Sequence, residues 1–252
     1  MKKLLLISLC LLSAVSLAKQ PNFVFILSDD AGFEEFGLYK VKKDQPSNTP
    51  NIDALADSGV SFKYAWTQAI CGPSRSMVLT GNYATNNGAY DNKVYYLENE
   101  EDYQNKGRMP SFTKVLKEAG YVVAVAGKWH NPAGYDLISN PKELGVDSYT
   151  AWDASPEIFE ELSGRKMIPD ETWETAAISG LPKISRYWKP GIIQNGKVLK
   201  TTMKDYGPDI FSGAIIDFIE QEAKTKNPFL AYYTMVLPHG AHTPTPDDVK
   251  KG

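Results

Sequence analysis

The chain has 252 residues, of which 42% are hydrophobic and 23% are charged, and its formal net charge is −3. This length is enough for one sizeable α/β core, and the composition is that of an ordinary globular protein. The charge is slightly negative and the sequence contains no concentrated basic stretch, which disfavours a nucleic-acid-binding protein. A mildly acidic surface does not attract an anionic substrate over long distances, so any affinity for anions must arise locally.

The N-terminal segment, residues 1–18, has the pattern of a signal peptide. Lys2 and Lys3 form a positive start, residues 4–15 are apolar, and small residues precede a cleavage site after Ala18. We therefore expect a secreted or periplasmic protein. The apolar segment is shorter than a comfortable membrane span, so we expect no stable membrane anchor, with a permanent N-terminal anchor as the alternative interpretation.

The first half of the mature chain alternates a predicted strand with predicted helices. Residues 22–28 form a nearly continuous apolar run, which is typical of a strand buried on both faces of a parallel sheet. A helix is predicted from Pro50, with Thr49 as its N-cap and Gly59 as its stop. Further helices are predicted over residues 73–79 and between the N-cap residue Ser111 and the stop residue Gly120.

The second half continues this alternation. Residues 121–126 and 229–236 predict two more buried strands, and residues 208–224 predict an amphipathic helix before the last strand. Residues 131–200 predict a loop-rich insertion beside the sheet, with a hairpin at Asn195-Gly196. The fold class is therefore α/β, with a mainly parallel sheet sandwiched by helices and a single domain over residues 19–252.

Polar residues follow the predicted buried strands. Asp29 and Asp30 follow the first strand, Lys128 and His130 follow the second, and His239 follows the third. Because the carboxyl ends of strands in an open α/β sheet form the ligand crevice, we expect these side chains to converge. Adjacent carboxylates suit calcium or magnesium. Zinc is disfavoured, since the sequence has only three histidines and only one cysteine outside the predicted signal peptide, and that cysteine belongs to a separate motif.

Each of these clusters also has a purely structural interpretation. Asp29-Asp30 alone can be a turn or a helix cap. Lys128 and His130 can be polar residues that close a strand, and His239 can be a buried histidine satisfied by the backbone. The three clusters indicate a functional site only when they are considered together.

Cys71 is the only cysteine outside the predicted signal peptide. A secreted protein cannot use a single cysteine for an internal disulfide, so this thiol is inert, intermolecular or a chemical precursor. It opens the run Cys71-Gly72-Pro73-Ser74-Arg75, which precedes Thr80-Gly81.

This run and the strand-end clusters together resemble the motifs of the type I sulfatases, a formylglycine-dependent family with an alkaline-phosphatase-like fold. The match covers most of residues 21–246. Val123 departs from the serine or threonine usual in the family, and Asn131-Pro132 departs from the usual Leu-Gly. The motifs are Pro21-Asn22-Phe23-Val24-Phe25-Ile26-Leu27-Ser28-Asp29-Asp30, Thr49-Pro50-Asn51-Ile52-Asp53-Ala54-Leu55-Ala56, Cys71-x-Pro73-Ser74-Arg75-x-x-x-x-Thr80-Gly81, Gly120-Tyr121-x-x-x-x-x-Gly127-Lys128-Trp129-His130 and Pro238-His239-x-x-x-x-Pro244-x-Pro246.

The resemblance implies a nucleophile made from Cys71 by a formylglycine-generating enzyme or maturase. It implies that Asp29, Asp30 and the converted Cys71 bind a calcium ion, with magnesium as the alternative, and that Arg75 orients the aldehyde hydrate. One hydroxyl of that hydrate would attack sulfur, and the other would allow sulfate to be released.

The resemblance also assigns roles to the remaining strand-end residues. Lys128 would neutralise charge on the sulfuryl group, His130 would act as a base on the second hydroxyl, and His239 would protonate the leaving alcohol. The implied activity is hydrolysis of a sulfate ester, with a sulfated glycan as the expected substrate class and a sulfated small molecule as the alternative.

Family members are longer, and they supply further metal ligands and a second lysine after the third motif. The resemblance therefore implies a catalytic domain that is incomplete at its C-terminus and poorly active or inactive by itself. Two other functions stay open: a phosphatase or phosphonate monoester hydrolase of the same superfamily, and a non-catalytic remnant.

Overall fold

The computed structural model describes residues 19–39, 48–92, 110–130, 140–152, 186–240 and 243–251. The predicted signal peptide lies outside these residues. The strands within them are β1 (Phe23–Asp29), β2 (Val122–Lys128), β3 (Ser148–Trp152), β4 (Ile193–Gln194), β5 (Lys197–Val198) and β6 (Phe229–Pro238).

Helices connect and cover these strands. Two short 3-10 turns, Phe33–Glu35 and Gly37–Tyr39, follow β1. None of the described helices is both long enough and apolar enough to cross a membrane. The α-helices are α1 (Pro50–Ser58), α2 (Cys71–Thr80), α3 (Ala84–Asn87), α4 (Phe112–Glu118), α5 (Asn140–Glu143), α6 (Gly207–Glu222) and α7 (Pro246–Lys251).

The strands form one mixed sheet in the order β1-β6-β2-β3-β4-β5. The first four strands in this order are parallel, and β4 and β5 extend the sheet as an antiparallel hairpin. One apolar core, which includes Leu79 of α2 and Val123, lies on one face of the sheet. A second core, which includes Phe211 of α6 and Ala231, lies on the other face. The predicted mainly parallel sheet between helices is therefore confirmed.

Strand β1 differs from the prediction that it is buried on both faces. Within the described residues β1 pairs only with β6, so it lies at an edge of the sheet. The side chains from Phe23 to Ile26 are 37–57% exposed. The prediction was wrong because a continuous apolar run identifies a strand that packs against apolar neighbours but does not identify where those neighbours are.

The middle of the chain contributes to the sheet itself. The predicted hairpin is confirmed, since Asn195 and Gly196 have φ angles of 50° and 82° and join β4 to β5. Strand β3, which was not predicted, pairs in parallel with β2 and connects the hairpin to the central sheet. The described parts of residues 131–200 thus include strands of the sheet rather than only loops beside it.

Local sequence explains the ends of the helices near the strand ends. Helix α4 begins after Ser111, whose hydroxyl accepts a hydrogen bond from the backbone N–H of Lys114 at 3.1 Å. Helix α2 ends at Gly81, which has a φ of 65°. Its first residue is Cys71, two positions before the predicted start, so the cysteine lies in the first helical turn.

Candidate active site

Asp29 is the centre of a buried charged cluster at the carboxyl end of β1. Its side chain is 2% exposed. Oδ1 lies 3.1 Å from Nη2 of Arg75, and Oδ2 lies 2.8 Å from Nζ of Lys128. Oδ2 also lies 3.6 Å from Nη1 of Arg186. One carboxylate is therefore in contact with three cationic side chains.

The cations decide the protonation state of Asp29. Burial by itself raises the pKa of this carboxyl, but the positive charges of Arg75 and Lys128, together with their hydrogen bonds, outweigh burial and lower the pKa below its ordinary value. Asp29 is therefore ionised at neutral pH. Within the described residues, Arg75, Lys128 and Arg186 thus concentrate positive charge around this one carboxylate at the end of β1.

Arg75 connects helix α2 to two strands of the sheet. It follows Cys71 by one helical turn, and its side chain is almost fully buried. Nη1 donates a hydrogen bond to the carbonyl oxygen of Lys128 at 2.9 Å, and Nη2 donates to the carbonyl oxygen of Met235 at 3.3 Å. These bonds fix the start of α2 against the ends of β2 and β6.

Lys128 is the last residue of β2, and His130 lies two residues further along the chain. Burial lowers the pKa of Lys128, and the charge of Asp29 opposes this effect. Burial, followed by the charges of Lys128 and Arg75, lowers the pKa of His130 to about 3. The His130 ring is therefore neutral at physiological pH, and its surroundings oppose protonation.

Cys71 lies beside a residue that the sequence motifs did not identify. The Oδ1 atom of Asn92 accepts a hydrogen bond from the backbone N–H of Gly72 at 2.8 Å and contacts Sγ of Cys71 at 3.6 Å. Cys71 is the first residue of α2, and Arg75 of the same helix lies 3.1 Å from Asp29. The thiol is therefore one helical turn along α2 from a member of the charged cluster.

Asp30 and His239 form the outer part of the site. Asp30 has a φ of 65°, which turns its backbone at the strand end, and its Oδ2 lies 3.4 Å from Nε2 of His239. The loop of His239 is held by the buried Tyr187, whose hydroxyl donates to the carbonyl oxygens of Val236, at 3.3 Å, and of His239.

The predicted site residues thus lie at one edge of the sheet. Direct contacts connect Asp29 to Arg75 and Lys128, and they connect Asp30 to His239. The sequence analysis did not identify Arg186 or Asn92. Arg186 belongs to no recognised motif, and Asn92 lies before the second signature.

The carboxylates at the end of β1 have the chemistry of calcium ligands but make only part of a calcium shell. Asp29 and Asp30 are adjacent carboxylates, as hard cations prefer. However, no group of three or more His, Cys, Asp or Glu side chains that could hold a metal ion occurs among the described residues. Calcium takes roughly six to eight oxygen ligands, so these two side chains alone cannot complete its coordination.

The chain matches the family model described as Sulfatase over residues 21–251. It is 30% identical over 250 residues to an N-acetylglucosamine-6-O-sulfatase of Bacteroides thetaiotaomicron, a match that covers 96% of this chain and 36% of the relative. It is 28% identical over 231 residues to the N-acetylgalactosamine-6-sulfatase of Homo sapiens, covering 87% of this chain and 40% of the relative.

Solved structures show the same similarity. The structure of Ps i-CgsB in complex with k-i-k-neocarrahexaose has a TM-score of 0.66 and 26% identity, covering 92% of this chain and 48% of that chain. A protein in complex with its substrate D-glucosamine-2-N,6-O-disulfate has a TM-score of 0.63 and 28% identity, covering 91% of this chain and 37% of that chain. The chain spans less than half the length of these relatives.

Proposed function

Because the chain belongs to the sulfatase family, we propose that it hydrolyses sulfate esters at the charged cluster around Asp29. The observation that carries this proposal is the cluster of Arg75, Lys128 and Arg186 around one buried carboxylate, beside the helix that begins at Cys71. A sulfuryl group that gains negative charge on its oxygens is stabilised by fixed positive charges in a pocket that excludes water.

Cys71 is the proposed precursor of the nucleophile. Its Cys-x-Pro-Ser-Arg context is the reason to expect conversion to formylglycine by a maturase. As a hydrate, formylglycine supplies one hydroxyl that attacks sulfur and a second hydroxyl whose deprotonation allows release of the product. Asn92 accepts a hydrogen bond from the backbone at this helix start and thereby holds residue 71 in place.

The charged side chains have separate roles in this proposal. Lys128 neutralises the sulfuryl oxygens, and Arg75 orients the nucleophile from one helical turn away. His130 is the proposed base for the second hydroxyl, the role that the sequence motif implies; in the unliganded protein its ring is neutral. His239 donates a proton to the leaving alcohol, and its contact with Asp30 orients the ring.

A divalent cation is the proposed cofactor, with calcium preferred over magnesium. Asp29, Asp30 and the converted Cys71 would hold it, and the remaining ligands would come from water or from parts of the protein outside the described residues. When bound, such an ion adds positive charge beside the sulfuryl oxygens.

A sulfated glycan is the proposed substrate class. The relatives include an N-acetylglucosamine-6-O-sulfatase and an N-acetylgalactosamine-6-sulfatase, and one structural neighbour is in complex with k-i-k-neocarrahexaose. A sulfated amino sugar is therefore the first substrate to test. The signal-peptide pattern of residues 1–18 supports a secreted or periplasmic location for this activity.

The proposal can be tested by expressing the chain together with a formylglycine-generating enzyme and measuring sulfate release with added calcium. The substrates are N-acetylglucosamine 6-sulfate, an aryl sulfate and the matching aryl phosphate. We expect slow sulfate release that the Cys71→Ala variant lacks and a lower rate with the phosphate. Equal rates for the Cys71→Ala variant and the unchanged chain would contradict the proposed nucleophile, and faster turnover of the phosphate ester would identify a phosphatase instead.

A further inference from the structure

We propose that Asn92 is a positioning residue for the nucleophile. Its side-chain oxygen favours the hydrate of the converted Cys71 over the free aldehyde and holds one hydroxyl of that hydrate. This inference rests on the proposed function. Asn92 lies outside the sequence motifs, and its role follows from the contacts at the start of helix α2.

The start of helix α2 is capped by a side chain from outside the helix. The N-cap residue is Ile70, whose apolar side chain cannot accept a hydrogen bond. Pro73 has no backbone N–H, and the N–H of Ser74 donates to the carbonyl oxygen of Ile70 at 3.2 Å. The N–H of Gly72 donates at 2.8 Å to Oδ1 of Asn92, which lies 20 positions further along the chain. Asn92 thus caps the first turn of α2.

This hydrogen bond determines which end of the Asn92 amide faces residue 71. A side-chain amide carries an acceptor oxygen and a donor nitrogen, and only the oxygen can accept from the N–H of Gly72. The same oxygen contacts Sγ of Cys71 at 3.6 Å. The atom that Asn92 presents to the side chain of residue 71 is therefore a hydrogen-bond acceptor.

An acceptor at this position distinguishes the hydrate from the aldehyde. In hydration, the oxygen of a water molecule bonds to the carbonyl carbon and a proton passes to the carbonyl oxygen, so two hydroxyls replace one C=O. Both hydroxyls are bonded to the carbon that carries Sγ in Cys71. A hydroxyl can donate to the Asn92 oxygen, whereas an aldehyde oxygen has only lone pairs to present to it. The contact therefore stabilises the hydrate relative to the aldehyde.

The position of the two side chains suits this role. Cys71 is partly exposed and Asn92 is exposed, so water reaches the carbon that is hydrated. A hydroxyl that is held through its proton is no longer equivalent to the other one. The proposed function needs this difference, because one hydroxyl attacks sulfur and the other loses its proton to His130. Asn92 would thus set both the form and the orientation of the nucleophile before substrate binds.

The test compares the 252-residue chain with Asn92 variants after co-expression with a formylglycine-generating enzyme and labelling of cysteine with carbon-13 at Cβ. Carbon-13 NMR separates the hydrate carbon from the aldehyde carbon. Because one neutral hydrogen bond changes an equilibrium by about fivefold, we expect the ratio of aldehyde to hydrate to rise about fivefold in Asn92→Ala. Asn92→Asp retains an acceptor oxygen and should keep the ratio of the unchanged chain.

Asn82→Ala is the matched control. The side-chain amide of Asn82 donates to the carbonyl oxygen of Thr80 at 2.7 Å, at the other end of α2. Its removal loosens the helix without removing the acceptor beside residue 71, so the ratio should stay the same. Thermal unfolding shows whether each variant is folded. If Asn92→Ala is not folded or not converted, Asn92→Ser decides the question, because its shorter side chain draws the oxygen away from residue 71.

Two results would overturn the inference and leave the proposed function intact. One is an unchanged ratio of aldehyde to hydrate in the folded, converted variant that lacks the Asn92 amide. The other is an equal rise in Asn82→Ala, which would show that any loosening of α2 has the same effect. Absence of conversion of Cys71 in the unchanged chain would overturn both the inference and the proposed function.

Discussion

Replacing His130 with asparagine should remove most of the acid sensitivity of the folded state between about pH 6.5 and about pH 5. His130 is 4% exposed and lies among cationic side chains, so the folded protein resists its protonation. The unfolded chain does not resist protonation of this histidine. Asparagine suits the site because His130 has a φ of 38°, a conformation that asparagine adopts more readily than most residues.

The magnitude follows from the two pKa values. An unfolded histidine has a pKa near 6.5, whereas burial, Lys128 and Arg75 lower the folded pKa to about 3. Above the unfolded pKa the ring is neutral in both states and adds no pH dependence. Below it only the unfolded state takes up a proton, so the free energy of unfolding decreases by about 1.4 kcal/mol per pH unit. At about pH 5 the accumulated loss is about 2 kcal/mol, and this value follows for any folded pKa below about 4.

Asp29 does not contribute in this range. Its folded pKa is lowered from 3.8, so the stability that it contributes is present above that value and is lost only as the pH falls below it. The pH window between about 6.5 and about 5 therefore separates the effect of His130 from that of Asp29.

Urea unfolding followed by tryptophan fluorescence at about pH 7.5 and about pH 5 measures the effect. The unchanged chain should lose about 2 kcal/mol more stability on acidification than His130→Asn does. Any cost from the smaller side chain is the same at both pH values and cancels in this difference. Lys197→Gln, on the exposed β4–β5 hairpin, is the control and should keep the acid sensitivity. Equal losses in the unchanged chain and in His130→Asn would refute the reasoning.

Gly127→Ala should destabilise the protein by about 3 kcal/mol or more, because Gly127 has a φ of 108° and an added Cβ would lie 1.8 Å from the carbonyl oxygen of Thr234. The matched change Gly213→Ala, where nothing lies within 4 Å, should instead stabilise helix α6 by about 0.5–1 kcal/mol in the same urea titration. Asn92→Ala should cost about 1 kcal/mol by leaving a backbone N–H at the start of α2 without its acceptor, whereas Asn92→Asp should keep most of that stability. Co-expression with a formylglycine-generating enzyme should lower the mass of the Cys71 peptide by about 18 units, and recovery of free thiol alone would contradict the predicted conversion.

Sequence patterns predicted the elements that carry the site residues because those patterns are local. The apolar runs before Asp29, Lys128 and His239 identified three parallel strands, whose carboxyl ends lie at one edge of the sheet for topological reasons. Ser111 and Gly120 marked the ends of helix α4 through capping and a φ of 91°. The roles of the site residues stay predictions until activity is measured.

Only the tertiary structure decided which side chains contact one another and which strand lies at the edge of the sheet. Arg186 is separated from Asp29 by more than half of the chain, and nothing in its local sequence indicates that it stacks on Trp152 and approaches that carboxylate. Likewise, the apolar run of β1 predicts a strand buried on both faces, yet within the described residues it lies at the sheet edge with a neighbour on one side only. Local propensity and capping depend on residues within a few positions, whereas burial, charge pairing and pKa values depend on the residues that the fold brings together.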